Sequence, residues 1–451
     1  MTSPAARLAR RLAEALLAGS WDIAGMSERI RMVMAARRQS RWHDQLAKRV
    51  HDEFAAVIPR PTRDRLAEFI LFKGRIPRRA RVPEHRDGPL RNTSLLSLPA
   101  PAMIPADAIA ARVALPAITT QGQLADWLSI SPSELDWFAD PAALLARWDV
   151  ADRGTLRHYR TRLLPKPRGR WRLVESPKPR LKEIQRKILA DLLDLVPVHP
   201  AAHAFVRGRS IVTGVTPHCG RDVVLSIDLR EFFPSVHAGR IHAMFRTLGY
   251  PERVASLLTG LCTTRTPADR LAQGAFSTAQ RQLYQSLHLP QGAPTSPALA
   301  NLAAWRLDCR LEGLARRFGA AYTRYADDLI FSGDSTVHRG LPRLRVWATA
   351  IVLDEGFAIQ RRKTRVMPSG QRQTVGGLVL NQTPNVPRHE YETLRAILHN
   401  CVRSRPESQN LEGHPRFRES LRGRIAWVAA SNPDRGRRLL SQFERIVWSD
   451  E

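Results

Sequence analysis

The chain has 451 residues, with seventy Lys plus Arg against forty-two Asp plus Glu, a formal net charge of +28 and a sequence pI near 11.3. Charge on that scale speaks about partners, and a polyphosphate suits it, because each neutralised phosphate releases counterions. Four scattered cysteines with no Cys-x-x-Cys pair, no secretory leader and no apolar run of membrane-spanning length argue against a disulfide framework, a zinc site and a membrane protein, and predict a cytoplasmic location.

Positions 1–75 carry helical spacing. Ser3-Pro4 followed by Leu8, Leu12 and Leu16 predicts a capped first helix that stops near Gly19, and two further helical stretches follow, with Trp42, Leu46 and Val50 at four-residue intervals. Nothing there suggests chemistry, so an all-helical N-terminal extension is expected. Arg75, Arg78, Arg79 and Arg81, with seven prolines between positions 76 and 118, predict a linker over 76–120. Two short helices are expected over 121–138, split at Ser129-Ile-Ser-Pro132 with Ser131 as N-cap and Pro132 in the first turn. Trp127, Leu128, Leu135, Trp137 and Phe138 read there as a packing face rather than as a DNA-reading helix-turn-helix.

A basic stretch follows, with thirteen Lys or Arg against three acids between positions 151 and 190. Within it, apolar runs flank Pro167-Arg168-Gly169, predicting a two-stranded ribbon over 159–174 that can fold over phosphates. An amphipathic helix is expected over 181–195, carrying Lys182, Arg186 and Lys187. His203 and His218 read as hydrogen-bonded structural histidines. The run Asp222-Val-Val-Leu-Ser-Ile-Asp228 predicts a buried strand ending on Asp228, which points the same way as Ser226. Of the aromatics that follow, Phe232 suits core and Phe233 suits a lining position. Gly292, Pro294 and Pro297 force a loop before a helix from about Ala298, and Gln291 in that loop offers both a donor and an acceptor. The stretch 322–331 places Asp327 and Asp328 at the turn of a hairpin of β-branched and aromatic residues. Three carboxylates from two strand ends would form an all-oxygen site suited to magnesium or manganese. Two such ions can support in-line nucleotidyl transfer.

Asp228 with Phe232-Phe233-Pro-Ser235, Pro290-Gln-Gly-Ala-Pro-Thr-Ser-Pro297 and Tyr325-Ala-Asp-Asp328 together resemble the palm of a reverse transcriptase. Ala202-His-Ala-Phe-Val-Arg-Gly-Arg-Ser-Ile211, the wording of the Gln291 loop and Val375-Gly-Gly-Leu-Val-Leu-Asn381 resemble the retron branch more than group II intron maturases. The resemblance runs from about Leu124 to the C-terminus. It implies an α+β, right-hand fingers, palm and thumb polymerase fold preceded by the helical extension. The divisions expected are 1–75 extension, 76–120 linker, 121–373 fingers and palm, and 374–451 primer grip and helical thumb.

The activity implied is RNA-directed DNA polymerisation from dNTPs on a structured non-coding RNA, with a DNA product, a role in antiphage defence and an effector protein as a further candidate partner. By the same resemblance, Asp228, Asp327 and Asp328 would hold two Mg2+ ions, with Mn2+ as a substitute. Asp328 would be the less direct ligand, since adjacent strand residues face opposite ways. Phe233 would exclude a 2′-hydroxyl, Gln291 would contact the nucleotide, and Lys166 and Arg172 would hold its triphosphate. Lys363 would donate a proton to pyrophosphate. Val375, Gly376 and Gly377 would grip the primer, and the helical tail would track the duplex.

The chain departs from the retron pattern at Gly214-Val-Thr-Pro-His218, where Asn-Ala-x-x-His is usual, and at Val375-Gly376-Gly377, where Val-Thr-Gly is usual. Both segments concern RNA and primer recognition rather than metal chemistry. Two other readings compete: a group II intron-like or unclassified bacterial reverse transcriptase, and a non-catalytic RNA-binding scaffold. The intact acids, Phe233 and Gln291 favour an enzyme.

Overall fold

The structure, a computed structural model, describes residues 4–18, 21–34, 40–54, 61–75, 102–105, 112–140, 157–166 and 170–448. Most of the expected linker over 76–120 and the Pro167-Arg168-Gly169 turn lie outside these. The chain divides into two compact units that do not follow chain order. One comprises Met1–Pro197 with Phe233–Ala303, the other Val198–Phe232 with Ala304–Glu451.

The first unit begins with the helices Pro4–Leu17, Ile23–Val33, Arg41–Phe54 and Arg63–Lys73. Three helices follow the first where the apolar spacing suggests two. The side chain of Asp22 accepts from Gly25 N (2.7 Å) and that of Thr62 from Arg65 N (3.3 Å), so each starts a helix of its own. Leu12, Leu16, Met26, Ile30, Leu46, Val50, Leu66 and Ile70 are fully buried together, which gives the extension its own core.

Next come Gln121–Leu128 and Pro132–Ala139, the latter opened by the expected Ser131 cap, here in a capping box with Glu134. Trp137 and Phe138 pack on the His158 ring, and the Lys187 ammonium sits 5.2 Å from the Trp127 ring centre, so these aromatics meet protein. The ribbon forms from β1 (Tyr159–Lys166) and β2 (Arg170–Pro177), with Leu164 opposite Arg172 and Arg162 opposite Val174. The helix expected over 181–195 starts earlier, at Pro179, and ends at Asp191, leaving Leu193–Leu195 as a 3-10 turn. The helix after the Gln291 loop runs Ser296–Ala303, with Pro297 inside its first turn.

The second unit is built on β3 (Val223–Arg230), β4 (Ala321–Tyr325), β5 (Asp328–Gly333), β6 (Ala358–Ile359) and β7 (Arg365–Pro368). The order is β4-β5-β3, and the free edge of β3 is shared: β7 pairs with its first half and β6 with its last two residues. All these pairings are antiparallel. One sheet face carries Val224, Ile330 and Met367 into a core shared with the C-terminal helices Arg388–Ser404, Phe417–Ser431 and Pro433–Glu444. Residues alternate along strands, so this face also carries Ser226, Asp228 and Asp328. A short hairpin, β8 (Thr374–Val375) and β9 (Leu378–Val379), contributes Val375 and Leu378 to the same core.

His218 is wholly buried in this unit, as a structural histidine. Nδ1 lies 2.7 Å from Ser332 Oγ and Nε2 lies 2.8 Å from Thr323 Oγ1, which itself donates to Gly214 O. The Thr323 hydroxyl proton is thereby committed, so the neutral ring donates from Nε2 and accepts at Nδ1. Burial holds its pKa down to about 3. The unfolded chain therefore takes up a proton below about pH 6.5 that the folded one refuses, and stability falls by about 1.4 kcal/mol per pH unit below that point. His218→Gln is expected to flatten the decline in melting temperature between pH 6.5 and 5. Parallel declines in the two proteins would remove His218 as the cause.

Candidate active site

The acids come together through strand register. In the β3–β5 pair, Asp228 lies opposite Asp328, and Leu229 N donates to Asp327 O at 2.8 Å. That bond makes Asp228–Asp328 a non-hydrogen-bonded pair, the kind whose Cα atoms lie closest and whose side chains rise on one face. Tyr325 pairs with Asp328, so the turn consists of Ala326 and Asp327, and Asp328, expected at the turn, is instead the first residue of β5. Ala326 takes φ +55°, a left-handed conformation that costs a residue with a Cβ roughly 1–2 kcal/mol. Asp327 thus occupies the turn while Asp328, the acid expected to be less direct, stands across from Asp228. Pairing register decides this, and it is not visible in a single strand.

Basic groups reach the same place. Gln360 N donates to Asp228 O (2.8 Å), and the 3-10 turn Arg361–Lys363 then brings Lys363 Nζ to 2.6 Å from Asp228 Oδ2. Arg365 lies opposite Ser226 in β7, which puts it on the face of Asp228. Burial pushes the Asp328 carboxyl up to about 6. The Asp327 and Asp228 charges add to the rise, and Lys363 and Arg365 oppose it. The site is therefore short of positive charge despite its two cations. Sequence reasoning found Lys363 and missed Arg365, whose two-residue spacing from Met367 was the available signal.

The candidate nucleotide contacts lie in the first unit. Phe233 is half-buried, and its carbonyl accepts from Val236 N (3.0 Å). Val236 O accepts from Leu289 N (3.1 Å), and Gln291 O accepts from Glu175 N (2.9 Å), so the Phe233 turn, the Gln291 loop and β2 are joined by backbone bonds. Gly292, at φ +134°, lies so close that a Cβ there would meet Glu175 O at 3.0 Å. Beneath the loop, buried Glu175 bonds His288 Nε2 (2.9 Å) and Thr266 Oγ1 (2.7 Å). Arg172 is exposed on the ribbon face that also carries exposed Arg160 and Arg162. The backbone of Lys166 pairs with Arg170 at the ribbon's end, and the Lys166 side chain lies outside the described residues. Phe232, the last residue of its segment of the second unit, is core as expected and packs on Phe357 within that unit.

In the β8–β9 hairpin, Val375 pairs with Leu378 across Gly376 (φ +55°) and Gly377 (φ +84°). Two successive positive φ values are what a two-residue hairpin turn of type I′ demands. A Cβ at Gly376 would also lie 2.5 Å from Ile211 Cδ1, so a larger residue there would have to displace the end of that side chain. Asn381 accepts from Gln373 N (3.0 Å) and donates to Ser369 O and Gln371 O, tying the approach to this hairpin in place.

Comparison with known proteins decides the family. The reverse transcriptase (RNA-dependent DNA polymerase) family profile matches residues 164–383. The chain is 41% identical over 345 residues to the Retron Mx65 reverse transcriptase of Myxococcus xanthus, covering 75% of this chain and 74% of that one. The chain belongs to the retron reverse transcriptases. It is likewise 37% identical over 342 residues to the Retron Mx162 reverse transcriptase of the same organism, covering 72% and 66% of the two chains. With the Retron Ec86 reverse transcriptase of Escherichia coli it shares 31% over 281 residues, covering 62% and 78%. Among solved structures, a telomerase from Candida albicans in complex with a fragment of telomeric RNA gives a TM-score of 0.37 at 10% identity, over 62% of this chain and 54% of that one. That likeness is too weak to add to the assignment.

As a retron reverse transcriptase the protein is an RNA-directed DNA polymerase with the α+β right-hand fold. Its family depends on divalent metal, and the donor set here fits such an ion. Asp228 and Asp328 offer hard oxygens side by side in a place where negative charge is under-compensated. Among the described residues no three acid, His or Cys side chains already form a cage. A magnesium site completed by substrate phosphates needs none, since Mg2+ is commonly held by one or two carboxylates plus phosphate oxygens. Among the described residues, no helix is long and apolar enough to cross a membrane.

Proposed function

We propose that this retron reverse transcriptase copies a structured non-coding RNA into DNA from dNTPs, with Asp228, Asp327 and Asp328 holding two Mg2+ ions, for which Mn2+ can substitute. The observation that carries the reading is the Asp228–Asp328 pair, two carboxylates aligned across a non-hydrogen-bonded position beside the Asp327 turn. When bound, the ions would lower the pKa of an attacking 3′-hydroxyl and offset charge on departing pyrophosphate. Phe233 sets the space beside the sugar and thereby excludes ribonucleotides, while Gln291 orients the nucleotide. Lys166 and Arg172 neutralise the triphosphate, Arg by a bidentate fork and Lys as a point charge. Lys363, whose ammonium lies 2.6 Å from Asp228 Oδ2, supplies a proton to the leaving pyrophosphate.

Val375, Gly376 and Gly377 grip the primer end, and the Arg-rich helices beyond Arg388 follow the duplex through its A-form backbone. On this reading 121–373 is fingers and palm, 374–451 primer grip and thumb, 1–75 an extension and 76–120 its linker. The protein works in the cytoplasm, in antiphage defence, with an effector protein as partner. Extension of oligo(dT) on poly(rA) by the purified protein tests the polymerase reading. Extension with Mg2+ or Mn2+ that stops in chelator is expected; no extension with either metal would leave an RNA-binding scaffold.

A further inference from the structure

The hairpin that bears the acids is held by a buried ion pair that the chemistry above does not use. Arg324 lies in β4 and Asp308 in the helix Trp305–Phe318, and neither side chain is exposed to solvent. The guanidinium grips the carboxylate with both teeth, Nε to Oδ1 at 2.8 Å and Nη2 to Oδ2 at 2.7 Å, and Tyr322 Oη donates to Oδ1 at 2.8 Å. This leaves Nη1, which donates to the carbonyl of Ala326 at 3.2 Å. Ala326 is the left-handed residue immediately before Asp327. The backbone of Arg324 is itself pinned, donating to Ala201 O (2.7 Å) and accepting from His203 N (2.8 Å). Its guanidinium also stacks over Phe232, four residues beyond Asp228.

Burying two charges is expensive, and an apolar pair of similar volume often holds a core as well. What an apolar pair lacks is a donor aimed at the turn. An arginine locked at two nitrogens can deliver its third in one direction only, and here that direction ends on the acid-bearing turn.

We propose that Asp308 and Arg324 are positioning residues for DNA synthesis: the pair sets the Ala326–Asp327 turn through the Nη1–Ala326 O bond and so presents the acids in register for metal and substrate. The inference rests on the assignment of Asp327 to the reaction. Lysine at position 324 keeps the charge but cannot hold both carboxylate oxygens and still reach Ala326 O.

The test measures steady-state extension and the Mg2+ concentration for half-maximal rate in the full-length Arg324→Lys protein. The expected result is a folded protein whose kcat falls about 10²-fold, the order of loss that misplacing reacting groups by 1 Å brings, with KM for dNTP little changed and a raised Mg2+ requirement. A merely structural pair would reduce the folded fraction and leave the Mg2+ requirement alone. As a second variant, Tyr322→Phe/Arg324→Met/Asp308→Leu removes the buried charges together. Folding with wild-type kcat and Mg2+ requirement in either variant overturns the proposal, as does failure of both to fold, which would make the pair a folding determinant. Asp327→Asn is the control that separates the layers. Inactive Asp327→Asn beside unaffected Arg324→Lys sinks the positioning role alone, whereas active Asp327→Asn sinks the site assignment and the positioning role with it.

Discussion

Asp328→Asn is expected to cut RNA-templated DNA synthesis on the order of 10³-fold, a loss typical of removing a group that supports transition-state charge, and to make the metal-free protein more stable. The two effects share a cause. The Asp328 carboxyl has its pKa pushed from 3.8 up to about 6, chiefly by burial and then by Asp327 and Asp228. A folded-state pKa above the unfolded one favours folding below about pH 4, and that contribution is lost as pH rises to about 6. At pH 7.5 in chelator, the wild-type protein therefore carries a charge that costs about 2–3 kcal/mol. The neutral amide does not carry it. Melting curves in chelator at pH 7.5 should place Asp328→Asn above wild type, and addition of Mg2+ should stabilise wild type more than the variant. Activity within tenfold of wild type, or a lower melting temperature in chelator, would count against Asp328 as part of the metal site.

Phe233→Ala is expected to raise ribonucleotide incorporation by about 10²-fold relative to deoxyribonucleotide, within the range that one filled or emptied apolar space can discriminate. The effect is steric. On the proposed role, the half-buried Phe233 ring would reject one added hydroxyl on the sugar because no space is left for it, so removing the ring would admit it without making a new attractive contact. The neighbouring Phe232 is buried and packs on Phe357, both of them within the second unit, so Phe232→Ala should lower stability instead. Single-nucleotide extension with dTTP and UTP on an rA template would measure the ratio for both variants. Unchanged discrimination in Phe233→Ala would move the sugar gate elsewhere.

Local patterns were the most legible part of the chain. The Ser131 cap, the strand that carries Asp228, although it runs on to Arg230, the hairpin that bears Asp327 and Asp328, the structural nature of His218 and the burial of Phe232 each follow from periodicity or side-chain chemistry within ten residues. Where neighbouring segments share the same apolar spacing, boundaries blurred. The N-terminal region has four helices because Asp22 and Thr62 cap new starts, and the helix from Pro179 ends before the apolar run does.

Pairing partners were not legible. A charge at Arg324, in the middle of a strand buried on both faces, signalled a hidden partner, yet Asp308 is sixteen positions earlier on a helix whose other buried residues are apolar. By itself the sequence determined which residues are candidates for metal and nucleotide contact and that the strands bearing the acids would form. Periodicity and donor type are properties of neighbours along the chain. The tertiary structure alone decided that Asp328 faces Asp228, that Lys363 and Arg365 reach the same sheet face, and that a buried guanidinium underpins the turn. Register and burial arise from contacts between segments tens to more than a hundred residues apart, and a one-residue slip between β3 and β5 would send the two acids to opposite faces of the sheet.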